Sequence, residues 1–339
     1  MGDLSECDVE AERVRDRLFA AVRRRYGART SIENLQSATL GGSNRTVLFD
    51  LRETSTVRRL VLRQETYALE ESPFLAPHPQ FCLLQIAHRA RIPVPEPIFE
   101  LDDDDGLGRG YVVACIVGET LPKRLINDPN FATARNRFAA QCGEILARLH
   151  ALDVAPAEFL AQVPDSVDPI AAQTGRYDSY GETHPAIELG LRWLHLHRAE
   201  SSKTCLLHGD FRNGNLIVDY SGIMAVLDWE CAHLGDPMED IGWLCTRSWR
   251  FGNPARPVGG MGSKDEFAAA YHANGGVQID WEVVRWWEVF GLVRWAVLNV
   301  MQAHGHVSGQ RRAIPFAACG RNTCVIEYDL LMTLRGEYD

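Results

Sequence analysis

Two short polar segments, joined by an apolar strand, a turn and a second strand, constrain this chain more than any other feature. The first is His208-Gly209-Asp210-Phe211-Arg212-Asn213-Gly214-Asn215 and the second is Asp228-Trp229-Glu230. Cys205, Leu206 and Leu207 lead into the first. Between the two, Leu216 to Val218 read as a strand, Asp219-Tyr220-Ser221-Gly222 as a turn, and Ile223 to Leu227 as a returning strand. Such a hairpin brings Asp228 back beside Asn215. Transfer of a γ-phosphate needs a carboxylate to orient the acceptor hydroxyl and oxygen ligands to hold magnesium against the phosphates. Asp210 suits the first task, Asn215 and Asp228 the second. Asp, Asn and Gly are also common turn formers. A lone tripeptide would therefore say little, and the ordered pieces with strands between them carry the reading.

Protein kinases hold the same parts as a catalytic Asp, an Asn five positions later and a metal-binding Asp after a short hairpin. The stretch His208 to Trp243 resembles the aminoglycoside phosphotransferase family, small-molecule relatives of protein kinases that include choline and homoserine kinases. There His-Gly-Asp replaces His-Arg-Asp, and Asp-Trp-Glu stands in place of Asp-Phe-Gly. The resemblance is specific in this core and fainter over the rest of the chain. It implies an α+β, bilobal protein-kinase-like fold, with a small N-lobe built on an antiparallel sheet and a larger, mainly helical C-lobe. The implied boundaries are an N-terminal helix and nucleotide-binding lobe over 1–113, a hinge at 114–118, and a catalytic and substrate-binding lobe over 119–339. ATP or GTP would lie between the lobes.

Val14, Leu18, Ala21 and Val22 share one helical face in residues 8–26, with a solvated arginine face opposite. Ala38 to Leu40, Val47 to Leu51 and Leu60 to Arg63 read as strands. Gly41-Gly42-Ser43-Asn44, at the first turn, reads equally as an ordinary hairpin turn or as a loop whose amides meet phosphate oxygens. The resemblance favours the phosphate loop. On the third strand, where kinases place a lysine paired with a helical glutamate, this chain offers Arg63, and Gln80 falls at the glutamate position of a helix over Gln80 to Ala90. Arginine keeps the charge with a different donor geometry. Gln80 can accept a hydrogen bond from it but cannot neutralise it. Glu70 or Glu71 are alternatives. Tyr111 to Val117 reads as a strand, and the resemblance implies that the backbone of Ala114, Cys115, Ile116 and Val117 meets the adenine edge.

Phe138, Cys142, Ile145 and Leu149 form one face of a helix over Thr133 to Leu152, with His150 packed rather than reactive. Residues 153–183, rich in Pro, Asp, Ser and Gly, read as an extended loop, and Glu188 to Arg198 as a helix. The resemblance implies that Asp240 begins a buried helix and braces the catalytic loop with its carboxylate. From about 246 onward the chain reads as helical. Its Trp281, Trp286, Trp287, Phe290 and Trp295 read as core, with an acceptor pocket as the minority reading.

The 339 residues, 46% of them hydrophobic, suffice for two lobes. A net charge of −10 argues against a nucleic-acid partner and is compatible with a cationic acceptor. The run Asp102 to Asp105 reads as a solvated hairpin tip. The nine scattered cysteines read as reduced thiols. Without a spanning segment or signal-peptide core, the expectation is a cytoplasmic protein with no membrane partner and an oligomeric state left open. The implied activity is a small-molecule kinase that uses Mg2+ and moves the γ-phosphate of ATP or GTP to a hydroxyl acceptor. The C-terminal run resembles kinase-like domains fused to acyl-CoA dehydrogenases, which puts a metabolic acceptor such as a hydroxyacyl-CoA first and an aminoglycoside second. The alternative is a nucleotide-binding pseudokinase that regulates a partner protein, supported by Arg63 with Gln80. A serine hydrolase lacks its Gly-x-Ser-x-Gly elbow, and a protein kinase lacks its Ala-Pro-Glu segment.

Overall fold

A computed structural model describes residues 3–38, 44–66, 72–198 and 203–338. Two compact units emerge from its contacts: Met1–Val117 with Trp229–Cys231, and Gly118–Asp228 with Ala232–Asp339.

The smaller unit opens with helix α1 (Asp3–Tyr26), followed by strands β1 (Ser31–Ala38), β2 (Asn44–Arg52) and β3 (Val57–Glu65), helix α2 (Pro77–Arg89), and strands β4 (Pro97–Glu100) and β5 (Gly110–Ala114). The five strands form one antiparallel sheet in the order β1-β2-β3-β5-β4. Alternation places Val47, Phe49 and Leu51 of β2 and Leu60 and Leu62 of β3 on one face. Val14, Leu18 and Val22 of α1, one helical turn apart, pack into the same cluster.

Three expectations need correction here. The first strand runs Ser31–Ala38 and does not begin at Ala38. The arginine face of α1 is not simply solvated, because Arg25 pairs with Asp102 and Asp105 at 2.7 Å each and Arg24 pairs with Asp105. The acidic run is the expected exposed tip between β4 and β5 at Asp102, Asp103 and Asp104, but its last member, Asp105, is turned inward onto these arginines. Residues Asp103–Asp105 form a 3-10 turn closed by a reciprocal capping box between Asp102 and Asp105, and the Asp105 carboxylate is buried. Burial alone would raise its pKa, but the hydrogen bonds from Arg25 and from the Asp102 amide hold it below the ordinary value.

The larger unit contains α3 (Pro122–Asn127), α4 (Ala132–His150), α5 (Pro164–Val167), α6 (Pro169–Ser179), α7 (Pro185–Leu196), β6 (Cys205–Leu207), β7 (Leu216–Val218), β8 (Ile223–Val226), β9 (His233–Gly235), α8 (Pro237–Cys245), α9 (Lys264–Ala273), α10 (Trp281–Val307) and α11 (Ile314–Leu334). The expected loop over 153–183 is instead largely helical. Its prolines, Pro156, Pro164 and Pro169, occupy first-turn positions, where a missing N–H costs nothing, and Asp168 caps α6 by accepting from the Ile170 and Ala171 amides. The long helix α10 packs against α8 and α11. A Cβ at Gly242 of α8 would sit 2.5 Å from the Trp287 side chain, so glycine is what permits α8 and α10 their close approach. No described helix is long and apolar enough to cross a membrane.

Candidate active site

The predicted hairpin forms. β7 and β8 pair antiparallel, and the Leu227 amide donates to the Asn215 carbonyl at 2.8 Å, so Asp228 follows immediately beside Asn215. Asp228 has φ 59°, in the left-handed region that Asp tolerates better than most residues, and this turns the chain out of β8. Asn213–Asn215 make a 3-10 turn. The buried Asn213 amide pins that turn by donating to the carbonyls of Trp249 and Gly259 at 2.9 and 2.8 Å.

Asp210 is surrounded by donors. Asn215 Nδ2 reaches its Oδ2 at 2.6 Å and its carbonyl at 2.9 Å, while Trp243 Nε1 and Arg212 Nε reach its Oδ1 at 2.8 and 3.0 Å. Two donors thus occupy Oδ1 and one occupies Oδ2, which leaves Oδ2 the less encumbered oxygen for an acceptor hydroxyl. Sequence reasoning missed Trp243 and Arg212. A signal existed for the first: Trp243 lies three residues after Asp240 and so shares its helix face.

The loop carrying Asp210 is held at both backbone ends. Asp240, fully buried, accepts from the amides of His208 and Gly209, both at 2.9 Å, which is the bracing role the resemblance implies. Asp240 lies inside α8, whose cap is Asp236. His150 also meets Asp240 at 3.3 Å and Tyr271 Oη at 2.9 Å, so it packs as expected. On the other side Arg294 donates to the Gly209 carbonyl at 2.6 Å, with its guanidinium 5.1 Å from the Trp243 ring. Gly209, at φ 73°, turns its amide and carbonyl toward these two partners. The buried His208 accepts from the Asp210 amide at Nδ1 and donates from Nε2 to the Leu227 carbonyl at 2.8 Å. That pattern requires the neutral tautomer protonated on Nε2, and burial lowers its pKa in agreement.

A buried charge cluster stands behind Arg294. Its guanidinium lies 3.7 Å from Glu239, and Glu239 lies 3.2 Å from His233. Burial disfavours the imidazolium, but the Glu239 carboxylate, with Asp165 nearby, outweighs it and raises His233 to about 9. A raised folded-state pKa contributes stability that is complete below the unfolded value near 6.5 and is lost as pH rises through about 9. We expect the melting temperature to fall across that window, by an amount corresponding to roughly 3 kcal/mol. A His233→Gln variant should flatten this slope; a wild-type slope persisting in it would assign the effect elsewhere.

The nucleotide-directed residues lie in the smaller unit. Gly41, Gly42, Ser43, Glu70 and Glu71 lie outside the described residues, and Asn44 is described only as the first residue of β2. Arg63 sits on β3, half-buried, and donates to Thr46 Oγ1 at 3.1 Å. Gln80 is buried on α2, where its amide donates to the Leu75 carbonyl at 2.7 Å and accepts from Tyr111 Oη at 3.0 Å. Tyr111 is also the register partner of Arg63. The expected strand over Tyr111 to Val117 is shorter, ending at Ala114. The amides of Ala114 and Cys115 already donate to Glu96 and Arg59, both at 2.9 Å. No such backbone partner is found among the described residues for the amides of Ile116 and Val117, the other two hinge positions expected to meet adenine.

An antiparallel five-stranded sheet, a helical unit and an Asp-Asn-Asp set built on a hairpin are the parts of a kinase-like phosphotransferase. The protein is one that acts on a hydroxyl group. The chain belongs to the phosphotransferase enzyme family, whose profile matches residues 35–287. Over 217 residues it is 30% identical to acyl-CoA dehydrogenase family member 10 of Mus musculus, a match covering 60% of this chain and 19% of that protein. The chain therefore spans about a fifth of that relative's length. Among solved structures, a Ralstonia eutropha protein assigned as an aminoglycoside phosphotransferase aligns with TM-score 0.70 at 21% identity, covering 95% of this chain and 98% of that one. Choline kinase from Cryptosporidium parvum aligns with TM-score 0.59 at 13% identity, covering 95% of each chain. These likenesses show the α+β kinase-like fold.

Proposed function

We propose that the protein is a magnesium-dependent small-molecule kinase that transfers the γ-phosphate of ATP or GTP to the hydroxyl of a metabolic compound, with a hydroxyacyl-CoA ahead of an aminoglycoside. The single observation that carries this reading is the environment of Asp210, a carboxylate fixed by Asn215, Trp243 and Arg212 with one oxygen less encumbered. Asp210 accepts a hydrogen bond from the acceptor hydroxyl, orients it for in-line attack and takes its proton late. The new oxygen–phosphorus bond forms as the β–γ bridging bond breaks, and the nucleoside diphosphate leaves. The relative's acyl-CoA dehydrogenase name supports the choice of acceptor, though that name describes a protein of which this chain matches only a part.

The residues fit a magnesium ion. Asn215 turns its Nδ2 toward Asp210, which leaves its amide oxygen as the candidate ligand atom, and the Leu227–Asn215 backbone bond brings the chain at Asp228 next to Asn215, so that these two residues would hold the ion. Magnesium commonly takes one or two such protein oxygens and completes its shell with phosphate and water. When bound there, it supplies neutralisation of charge on the phosphate oxygens. Arg63, Gly42 and Ser43 are assigned to the phosphates. Arg63 with Gln80 keeps the pseudokinase alternative in view, and the complete set of Asp210, Asn215 and Asp228 weighs against it. In this reading the protein works in the cytoplasm.

Asp228→Ala is expected to abolish the magnesium-dependent part of nucleotide binding, read by calorimetry with and without the ion. Affinity that still rises with magnesium in this variant would remove Asp228 from the metal role.

A further inference from the structure

Arg294 holds the catalytic loop with a nitrogen that has a second acceptor in reach. Its Nη1 donates to the Gly209 carbonyl at 2.6 Å and lies 3.7 Å from Glu239 Oε1. The same guanidinium stands 5.1 Å from the ring of Trp243, whose Nε1 donates to Asp210 Oδ1 at 2.8 Å. One buried side chain thus meets the setting of Asp210 twice, at the backbone just before it and at the indole that holds its carboxylate. Helix α8 addresses both ends of Gly209: Asp240 accepts its amide directly, and the adjacent Glu239 competes for the arginine that holds its carbonyl.

How strongly Glu239 competes depends on His233. The imidazole Nε2 lies 3.2 Å from Glu239 Oε2, so the two carboxylate oxygens face different cations, Oε2 the imidazolium and Oε1 the guanidinium. Among the described residues these two are the ion partners of Glu239. All three side chains are buried, where water screens little and each charge is felt by its neighbours. With His233 charged, the carboxylate is held from its Oε2 side, and Arg294 keeps the short bond to Gly209. Without that charge Glu239 is a buried carboxylate with one cation left, and a charged acceptor draws Nη1 from a neutral carbonyl.

The other groups around His233 favour the charged imidazole on balance. Burial and Arg294 of α10 oppose the charge, but Glu239 of α8 and Asp165 of α5 raise His233 to about 9, so it is charged at neutral pH and loses its proton as pH rises through that value. Asp165 is an anion throughout this range: its burial is outweighed by the Arg176 hydrogen bond and by the charges of Arg176, Arg294 and His233, which hold it at about 2. Arg176, on α6, donates to that carboxylate at 3.1 Å. On α8, Asp236 caps the helix and Asp240 holds the loop amides. Cys205, on the paired strand β6, stays a thiol because burial pushes it up.

We infer that Arg294 is a positioning residue for Asp210, and that the His233–Glu239 pair behind it sets how firmly its Nη1 holds the Gly209 carbonyl. Arg294 acts through Gly209 and Trp243, not on the reacting atoms. For the chemistry performed by the loop this rests on the kinase reading above.

The test is amide hydrogen exchange of segment 206–211, read by mass spectrometry from pH 7 to 10 and corrected for the intrinsic pH dependence of exchange, in the wild type, Arg294→Lys and His233→Gln. Residues 139–146 of α4 serve as a control in the same unit. Magnesium-dependent phosphate transfer from ATP into hydroxyacyl-CoAs, aminoglycosides and choline is followed in parallel. At pH 7 both variants are expected to exchange segment 206–211 about tenfold faster than the wild type, with the control unchanged. Wild-type protection of the segment should fall as pH rises through about 9, and His233→Gln should lack that step. Turnover should fall by about 10–100-fold in both variants with the KM for ATP unchanged. Wild-type protection in both variants, a pH step that persists in His233→Gln, or equal loosening of the α4 control would overturn the inference. The wild-type pH series decides the matter even if Arg294→Lys does not fold. Transfer whose kcat neither variant alters would overturn the positioning role and leave the kinase reading standing. Absence of transfer by every protein would overturn the kinase reading, and the exchange rates would still decide whether Arg294 holds the loop.

Discussion

Replacing Asp210 by Asn is expected to lower kcat by about 10²–10⁴-fold while leaving nucleotide affinity in place. The geometry explains both halves. Asn215 Nδ2, Trp243 Nε1 and Arg212 Nε all donate to the native carboxylate. An asparagine there can turn its oxygen toward Trp243 and Arg212, but its NH2 then faces another NH2, that of Asn215. The position loses its proton acceptor and gains a local mismatch, and neither of the candidate metal ligands is removed. A small stability loss should accompany the fall in turnover, visible as a modestly lower melting temperature. Wild-type turnover in this variant would remove Asp210 from the chemistry.

Asp240→Ala should be the most destabilising substitution around the site. The native carboxylate accepts two buried amides, those of His208 and Gly209, and faces His150. Burial alone would push this carboxyl up, but the hydrogen bond from His150, the two imidazoles and the backbone donors hold it below the ordinary range. Alanine leaves those donors without an acceptor at a position with no solvent access. The expected loss is roughly 3–5 kcal/mol, comparable to removing one partner of a buried ion pair. Activity should disappear with it, because Gly209 and Asp210 lose the contact that sets their backbone. The pH dependence has a definite sign: a depressed folded-state pKa stabilises above the unfolded value near 3.8 and loses that contribution as pH falls through the folded value. Acid unfolding in wild type should therefore be steeper than in Asp240→Asn. Equal stability of Asp240→Ala and wild type by denaturant titration would refute the bracing role.

The site was legible in the sequence where its determinants are local. Alternation and a turn fixed the hairpin between Asn215 and Asp228, and the spacing of Asp210 to Asn215 needed no tertiary information. Partners from distant segments could not be read this way. Arg294, which holds the Gly209 carbonyl, comes from a helix more than eighty residues away in sequence. Asp105 could not be told from its exposed neighbours Asp102 to Asp104, because the arginines that hold it, Arg24 and Arg25, lie on the first helix. The first strand was misplaced for a local reason. Ile32 and Leu35 are three apart, and a register shift between Glu33 and Gln36 with Asn34 at φ 50° breaks the two-residue alternation that marks a strand. In 153–183, prolines that usually signal loops serve as helix starts, and the cue was Asp168 directly before Pro169.

The role proposed for Asp210 is to direct a γ-phosphate onto a small-molecule hydroxyl. Its most direct test is magnesium-dependent transfer from γ-labelled ATP and GTP into a pool of hydroxyacyl-CoAs, aminoglycosides and choline, run with wild type and Asp210→Asn side by side. A labelled small molecule is expected with the wild type and almost none with the variant. Tight nucleotide binding with no labelled product, or equal labelling by both proteins, would contradict it.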